Sequence, residues 1–209
     1  MGGAYPLRQC AVMDKEEQKH MDRVEEARRT LLALYGGSHS PLEESDPDFA
    51  AIKQRLVYGE LYAQEALDPV MRELILLAVA TTNQTMSEVK LHTCAALRSG
   101  ASPEAVKEAV YHCAPYIGLG KAEAAAAAVN EVLRTQGISL PLASQRTVSE
   151  EDRLTAGIAA QKSIFGPHID EMRAAAPNDK NPLQDYLSAY CFGDFYTRKG
   201  LSIAERELA

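Results

Sequence analysis

Glu88 and His92 stand four residues apart in the run Thr85-Met86-Ser87-Glu88-Val89-Lys90-Leu91-His92. On a helix that interval places both on one face, with Cβ atoms roughly 5–6 Å apart. A carboxylate beside an imidazole favours its protonated form and can fix the ring's orientation, which suits a general acid or base near neutral pH. Glu73 precedes the pair on Arg72-Glu73-Leu74-Ile75-Leu76-Leu77-Ala78-Val79-Ala80, a stretch that is apolar on most sides. A carboxylate in such company faces a desolvation cost unless it is paired. Each residue also has a plainer use. Glu88 can complete a capping box with Thr85, His92 can be a satisfied core histidine, and Glu73 can complement the positive end of its helix.

The elements that must carry these residues read as helices. Asp68-Pro69 opens the helix that holds Glu73, with Asp as cap and Pro in the first turn. Thr81 to Gln84 is a break, and Thr85 to Glu88 reads as a capping box that starts the next helix, which stops at Gly100. Ser102-Pro103-Glu104 starts another, with Ala105, Val106, Ala109, Val110 and Cys113 on one face and Pro115 at its end. An alanine-rich helix from Ala122 to Leu133 follows. Upstream, Val24, Ala27, Leu31 and Leu34 form a helical stripe within residues 14–35, and a second helix is expected from Pro47 to Glu65.

Val, Ile and Thr do not fall into alternating runs, so the fold class is all-α. The 209 residues are 46% apolar, enough to bury one good core. The formal charge of −7 opposes binding to nucleic-acid phosphate. No apolar run reaches the roughly 18 residues of a membrane span, and no signal-peptide core is visible. Cys10, Cys94, Cys113 and Cys191 form no C-x-x-C pair and have no zinc-ligand spacing with the histidines, so reduced thiols, a cytoplasmic setting and no bound metal are expected. Walker, dinucleotide-binding, H-E-x-x-H and G-x-S-x-G motifs are absent, and no cofactor is called for.

The chain also repeats itself. Gly59-Glu60-Leu61-Tyr62 reads against Gly193-Asp194-Phe195-Tyr196, and Arg72-Glu73-Leu74 against Arg206-Glu207-Leu208, at one offset of 134 positions. Tyr35-Gly36 pairs with Phe165-Gly166 at a slightly shorter offset, so an insertion intervenes. We read a tandem duplication. It divides the chain into a loose tail at 1–13, a complete unit at 14–137, a linker at 138–150 and a second copy at 151–209 that holds only the front half of the unit. The orphaned half leaves apolar surface to cover, which predicts self-association with Phe192, Phe195 and Tyr196 as contact positions.

Arg72-Glu73-Leu74, Glu88, the run from His92 to Gly100 and Tyr116-Ile117-Gly118 together resemble the carboxymuconolactone decarboxylase family. The resemblance covers about residues 50–135, with 150–209 as a partial second copy. It implies the compact helical fold shared with alkylhydroperoxidase-D-like proteins, homo-oligomers, and a cofactor-free decarboxylation of a small carboxylated lactone or related acid. In that reading His92 transfers the proton, Glu88 orients it, Glu73 is a second acid/base or an anchor, and Tyr116 offers a phenol to the substrate. His112 is expected to be structural or a rim group. The peroxidase branch carries two cysteines between its Glu and His. Thr85 and Glu88 occupy those positions here, and neither supplies a thiolate or a resolving thiol. A non-catalytic helical assembly or binding module is the remaining alternative.

Overall fold

The computed structural model describes residues 22–37, 40, 42–64, 66–177 and 179–209, and all the regular structure among them is helical. The expected tail at 1–13, and the expected helical residues 14–21, lie outside the described residues. The chain divides into two compact units, the first ending at Gln64 and the second running from Glu65 to Ala209. This cut differs from the one suggested by the internal repeat.

In the first unit, α1 (Arg23–Tyr35) begins where the Asp22 side chain accepts the Val24 N–H and ends at Gly36, with φ at 80°. Ala27, Leu31 and Leu34 are buried as the stripe predicts, but Val24 in the first turn is 48% exposed. The single helix expected from Pro47 to Glu65 is instead α2 (Pro47–Gln54) running into a π-helical stretch, π1 (Arg55–Leu61). Ala27 and Leu31 pack on Tyr58, flanked by Tyr35 and Tyr62. The approach is close enough to require glycine: a Cβ on Gly59 would lie 2.1 Å from the Arg23 carbonyl oxygen.

The second unit is built on α3 (Pro69–Asn83), α4 (Met86–Arg98), α5 (Pro103–Ile117) and α6 (Leu119–Thr135). Asp68 and Ser102 cap α3 and α5 by accepting the Met71 and Ala105 N–H groups, and Pro follows each cap. The expected break at Thr81–Gln84 is shorter than predicted. The helix continues to Asn83 and only Gln84 turns left-handed, its side chain donating to the Thr81 carbonyl at 2.6 Å. Thr85 makes no capping hydrogen bond. Its hydroxyl donates to the Ala80 carbonyl at 3.3 Å, so the predicted capping box does not form there. A capping box occurs instead at Ser202–Glu205.

Leu74, Leu77, Val89, Val106, Val110, Val129 and Leu133 are sealed between these four helices. Ala96, Ala109 and Ala125 sit among them, and their small side chains let the helix axes approach. The face of α5 carrying Ala105, Val106, Ala109, Val110 and Cys113 is buried as expected.

Residues 138–150 carry no helix but are tied down, with the Lys199 N–H donating to the Gln145 carbonyl and the Thr147 hydroxyl to the Thr197 carbonyl. Then come α7 (Arg153–Phe165), α8 (His168–Ala175), α9 (Asn181–Tyr186) with its continuation π2 (Leu187–Tyr196), and α10 (Ile203–Leu208). Phe192 and Tyr196 stack on each other and lie buried, with Ala160 and Ile164 of α7 against this cluster and the His112 ring of α5 against Tyr196. The expectation that they form an exposed contact surface is therefore wrong for both, because the wide π turn directs the aromatic face inward.

The internal geometry of the pair α1 and π1 recurs in α7 and π2. Arg23 bonds Glu60 at 2.6 Å, and Arg153 bonds Asp194. Gly193 faces the Arg153 carbonyl as Gly59 faces that of Arg23, with a Cβ at 2.2 Å. Tyr58 and Tyr62 contact edge to face where Phe192 and Tyr196 stack.

Candidate active site

Glu73 lies in the second turn of α3, where Met71, Glu73, Leu74 and Leu77 are all buried. His92 and Glu88 come from α4, on the face opposite. Glu73 has no exposed surface, and its Oε2 is 2.9 Å from His92 Nδ1. A carboxylate accepts, so Nδ1 carries the proton of this bond. A buried carboxylate without such a partner would cost several kcal/mol, which is what holds the two side chains together. The second oxygen of Glu73 lies 3.8 Å from Arg72 Nε.

Glu88 Oε2 is 3.7 Å from His92 Nε2, close enough for Coulomb attraction but too long for a direct hydrogen bond. The three residues come together, but Glu73 rather than the expected Glu88 bonds the ring. Glu73, nineteen positions away, fixes the ring. Glu88 lies on the side of the free nitrogen, with 35% of its side chain exposed, while His92 keeps only 10% of its own. The arrangement is a carboxylate-anchored imidazole whose Nε2 can take or give a proton beside a second carboxylate.

Tyr116 does not sit with this group. Its hydroxyl is 3.0 Å from that of Tyr196, which donates to Glu207 Oε1 at 2.6 Å. All three line a cavity of about 320 Å³ together with Thr82, His112, Cys113, Ile117, Arg206 and Ala209. Burial pushes the Tyr116 hydroxyl up to about 12. His112, expected to be structural or a rim group, is in the wall of this cavity. Burial, assisted by the neighbouring Arg206 guanidinium, lowers it to about 4.

The sequence reading missed one buried charge cluster. Glu108, on α5, receives three hydrogen bonds from Arg198 at 2.8–3.0 Å and one from Arg206 at 3.2 Å. Arg206 also donates to the Arg198 and Lys199 carbonyls. A signal was available: Glu108 and His112 follow Ala105 at helical intervals within an otherwise apolar stripe.

Cys94, Cys113 and Cys191 are unpaired thiols. Burial raises all three above the ordinary thiol range, Cys113 to about 11. Among the described residues there is no cluster of His, Cys, Asp and Glu able to hold a metal, and no helix is long and apolar enough to cross a membrane.

Residues 47–131 match the model of the carboxymuconolactone decarboxylase family. A 4-carboxymuconolactone decarboxylase from Acinetobacter baylyi is 29% identical over 98 residues, which are 47% of this chain and 73% of that protein. The matched segment contains Glu73, Glu88, His92 and Tyr116. The likeness to the carboxymuconolactone decarboxylase family thus lies in the helical central segment at residues 47–131.

Proposed function

We propose that this protein is a cofactor-free carboxy-lyase acting on a small carboxylated lactone or a related acid, with His92 as the proton-transfer group. The observation that carries the proposal is the 2.9 Å contact between His92 Nδ1 and the fully buried Glu73. It fixes the ring and leaves Nε2 as the working atom. When the substrate's carbon–carboxylate bond breaks, carbon dioxide departs and the bonding electron pair stays on carbon as a dienolate. Protonated His92 gives its Nε2 proton to that carbon, and solvent restores it. Glu73 holds the ring throughout, and Glu88 stabilises the imidazolium before transfer.

Thiol peroxidase chemistry is the weaker reading. The three described thiols are held protonated by burial, and Thr85 and Glu88 occupy the positions where that branch carries cysteines. We also read the recurring contacts of α1/π1 and α7/π2 as the product of a tandem duplication, supported by the common offset of 134 positions. Action in the cytoplasm as a homo-oligomer completes the proposal.

The test is release of carbon dioxide from 4-carboxymuconolactone by the purified chain. His92→Gln should lower turnover by at least about a hundredfold while helical circular dichroism is unchanged. Undiminished turnover in that variant would remove the role given to His92.

A further inference from the structure

The cavity between α5, π2 and α10 has a chemistry of its own, and its wall includes none of Glu73, Glu88 and His92. The direction of its hydrogen bonds can be worked out. Tyr196 spends its only hydroxyl proton on Glu207 Oε1. The hydrogen between the two phenols must therefore come from Tyr116, donated to the Tyr196 oxygen 3.0 Å away. Tyr116 is left as an acceptor, strengthened by the carboxylate at the far end of the chain. The Cys191 thiol, at 3.8 Å, is the weak donor on that oxygen. Burial, reinforced by the bond to Glu207, pushes Tyr196 up, so both phenols stay protonated and the direction holds.

The other polar side chains facing this space are Thr82, His112, Cys113, Arg206 and Glu207. His112 is 4% exposed and its Nδ1 has no partner among the described residues. Arg206 directs Nη2 at Glu108, a carboxylate it shares with Arg198, and at two backbone carbonyls. Its Nε and Nη1 are buried and have no hydrogen-bond partner among the described residues. Glu207 adds a negative charge. Tyr116 thus offers an acceptor that a ring bearing an O–H can use and an anionic ring without one cannot. A volume of about 320 Å³ is at the small end of ligand sites and suits one substituted ring. The rings of Tyr116, Tyr196 and His112 and the side chains of Ile117 and Cys113 supply apolar surface for it.

We propose that this cavity is a second binding site, for a neutral single-ring compound bearing a hydroxyl group, a phenol or an enol, whose O–H donates to Tyr116 at the end of the Glu207–Tyr196–Tyr116 chain. The site is independent of the His92 chemistry.

The probe is p-nitrophenol, titrated calorimetrically against the full chain at a pH low enough to keep it protonated, with benzoate as an anionic ring of similar size. Saturable binding of p-nitrophenol is expected, with benzoate at least about tenfold weaker. Tyr196→Phe cuts the link to the carboxylate and should weaken p-nitrophenol about tenfold, the effect of losing one charge-assisted hydrogen bond. His92→Gln should leave this binding intact, so loss of lactone turnover and loss of this site read out separately. Three results would overturn the proposal: no saturable binding, equal affinity in folded Tyr196→Phe, or benzoate binding as tightly as p-nitrophenol. The last needs no variant, so the proposal stays testable if Tyr196→Phe does not fold.

Discussion

The triplet Arg-Glu-Leu occurs twice in the second unit, near the start of α3 and at the end of α10, and the two copies bury opposite members. In Arg72-Glu73-Leu74 the glutamate and leucine are sealed, at 0% and 1% exposure, and the glutamate holds an imidazole. In Arg206-Glu207-Leu208 the arginine is buried, at 2%, while Leu208 is 56% exposed and Glu207 stands at a cavity wall. Both segments are helical with a cap four residues before the arginine, Asp68 in one and Ser202 in the other. The local code is thus shared. The difference lies in what each helix meets: α3 packs against α4 and its His92, whereas α10 meets Glu108 of α5. A buried charge is placed by its counter-charge, because the desolvation cost is met only by a partner in contact.

The comparison predicts where substitutions hurt. The largest contrast is in activity. Glu73→Gln removes the charge that anchors His92 and should lower lactone turnover about a hundredfold at unchanged fold, measured as initial rates of carbon dioxide release. A wild-type rate would break the parallel between burial and function on α3. Next comes Glu108→Ala, which leaves Arg206 without its buried counter-charge and should destabilise the chain by about 3 kcal/mol in urea unfolding. A loss within experimental error would mean that the α10 triplet is not held by charge.

A smaller effect follows from pH. His112, beside Arg206, is held near 4, below the ordinary value of 6.5. Between those values the unfolded chain binds the proton and the folded chain does not. The stabilisation from keeping His112 neutral is therefore complete above about pH 6.5 and is lost as pH falls toward 4. The loss between pH 7 and pH 5 should be about 2 kcal/mol, and His112→Gln should lack it. Equal pH dependence in the two proteins would assign the effect to other groups. The smallest expected change is Glu207→Gln, which weakens one hydrogen bond to Tyr196 and should cost no more than about 1 kcal/mol of stability. A loss as large as that of Glu108→Ala would erase the distinction between the sealed and the open member of the triplet.

The parts legible in the sequence are those fixed by neighbours along the chain. The all-helical class, the Asp68 and Ser102 caps with their prolines, the buried face of α5 and the nearness of Glu88 to His92 all follow from intervals of three or four residues. The Thr85 capping box was a local inference that failed, because the Ala80 carbonyl at the end of α3 takes the hydroxyl as donor. The π-helical widening at Arg55–Leu61 and Leu187–Tyr196 left no periodic mark, since a glycine's close approach to a distant carbonyl has no local signature.

By itself the sequence determined which segments are helical, where most of them start, and that a histidine and two glutamates lie within reach of one another along adjacent helices. Only the tertiary structure decided that Glu73 rather than Glu88 holds His92, that Tyr116 belongs with Tyr196 and Glu207, and that Arg206 rather than its neighbour is buried. Helix propensity and capping act over one turn and are written in adjacent residues. The partner of a buried polar group comes from another element, and its choice depends on how the helices pack.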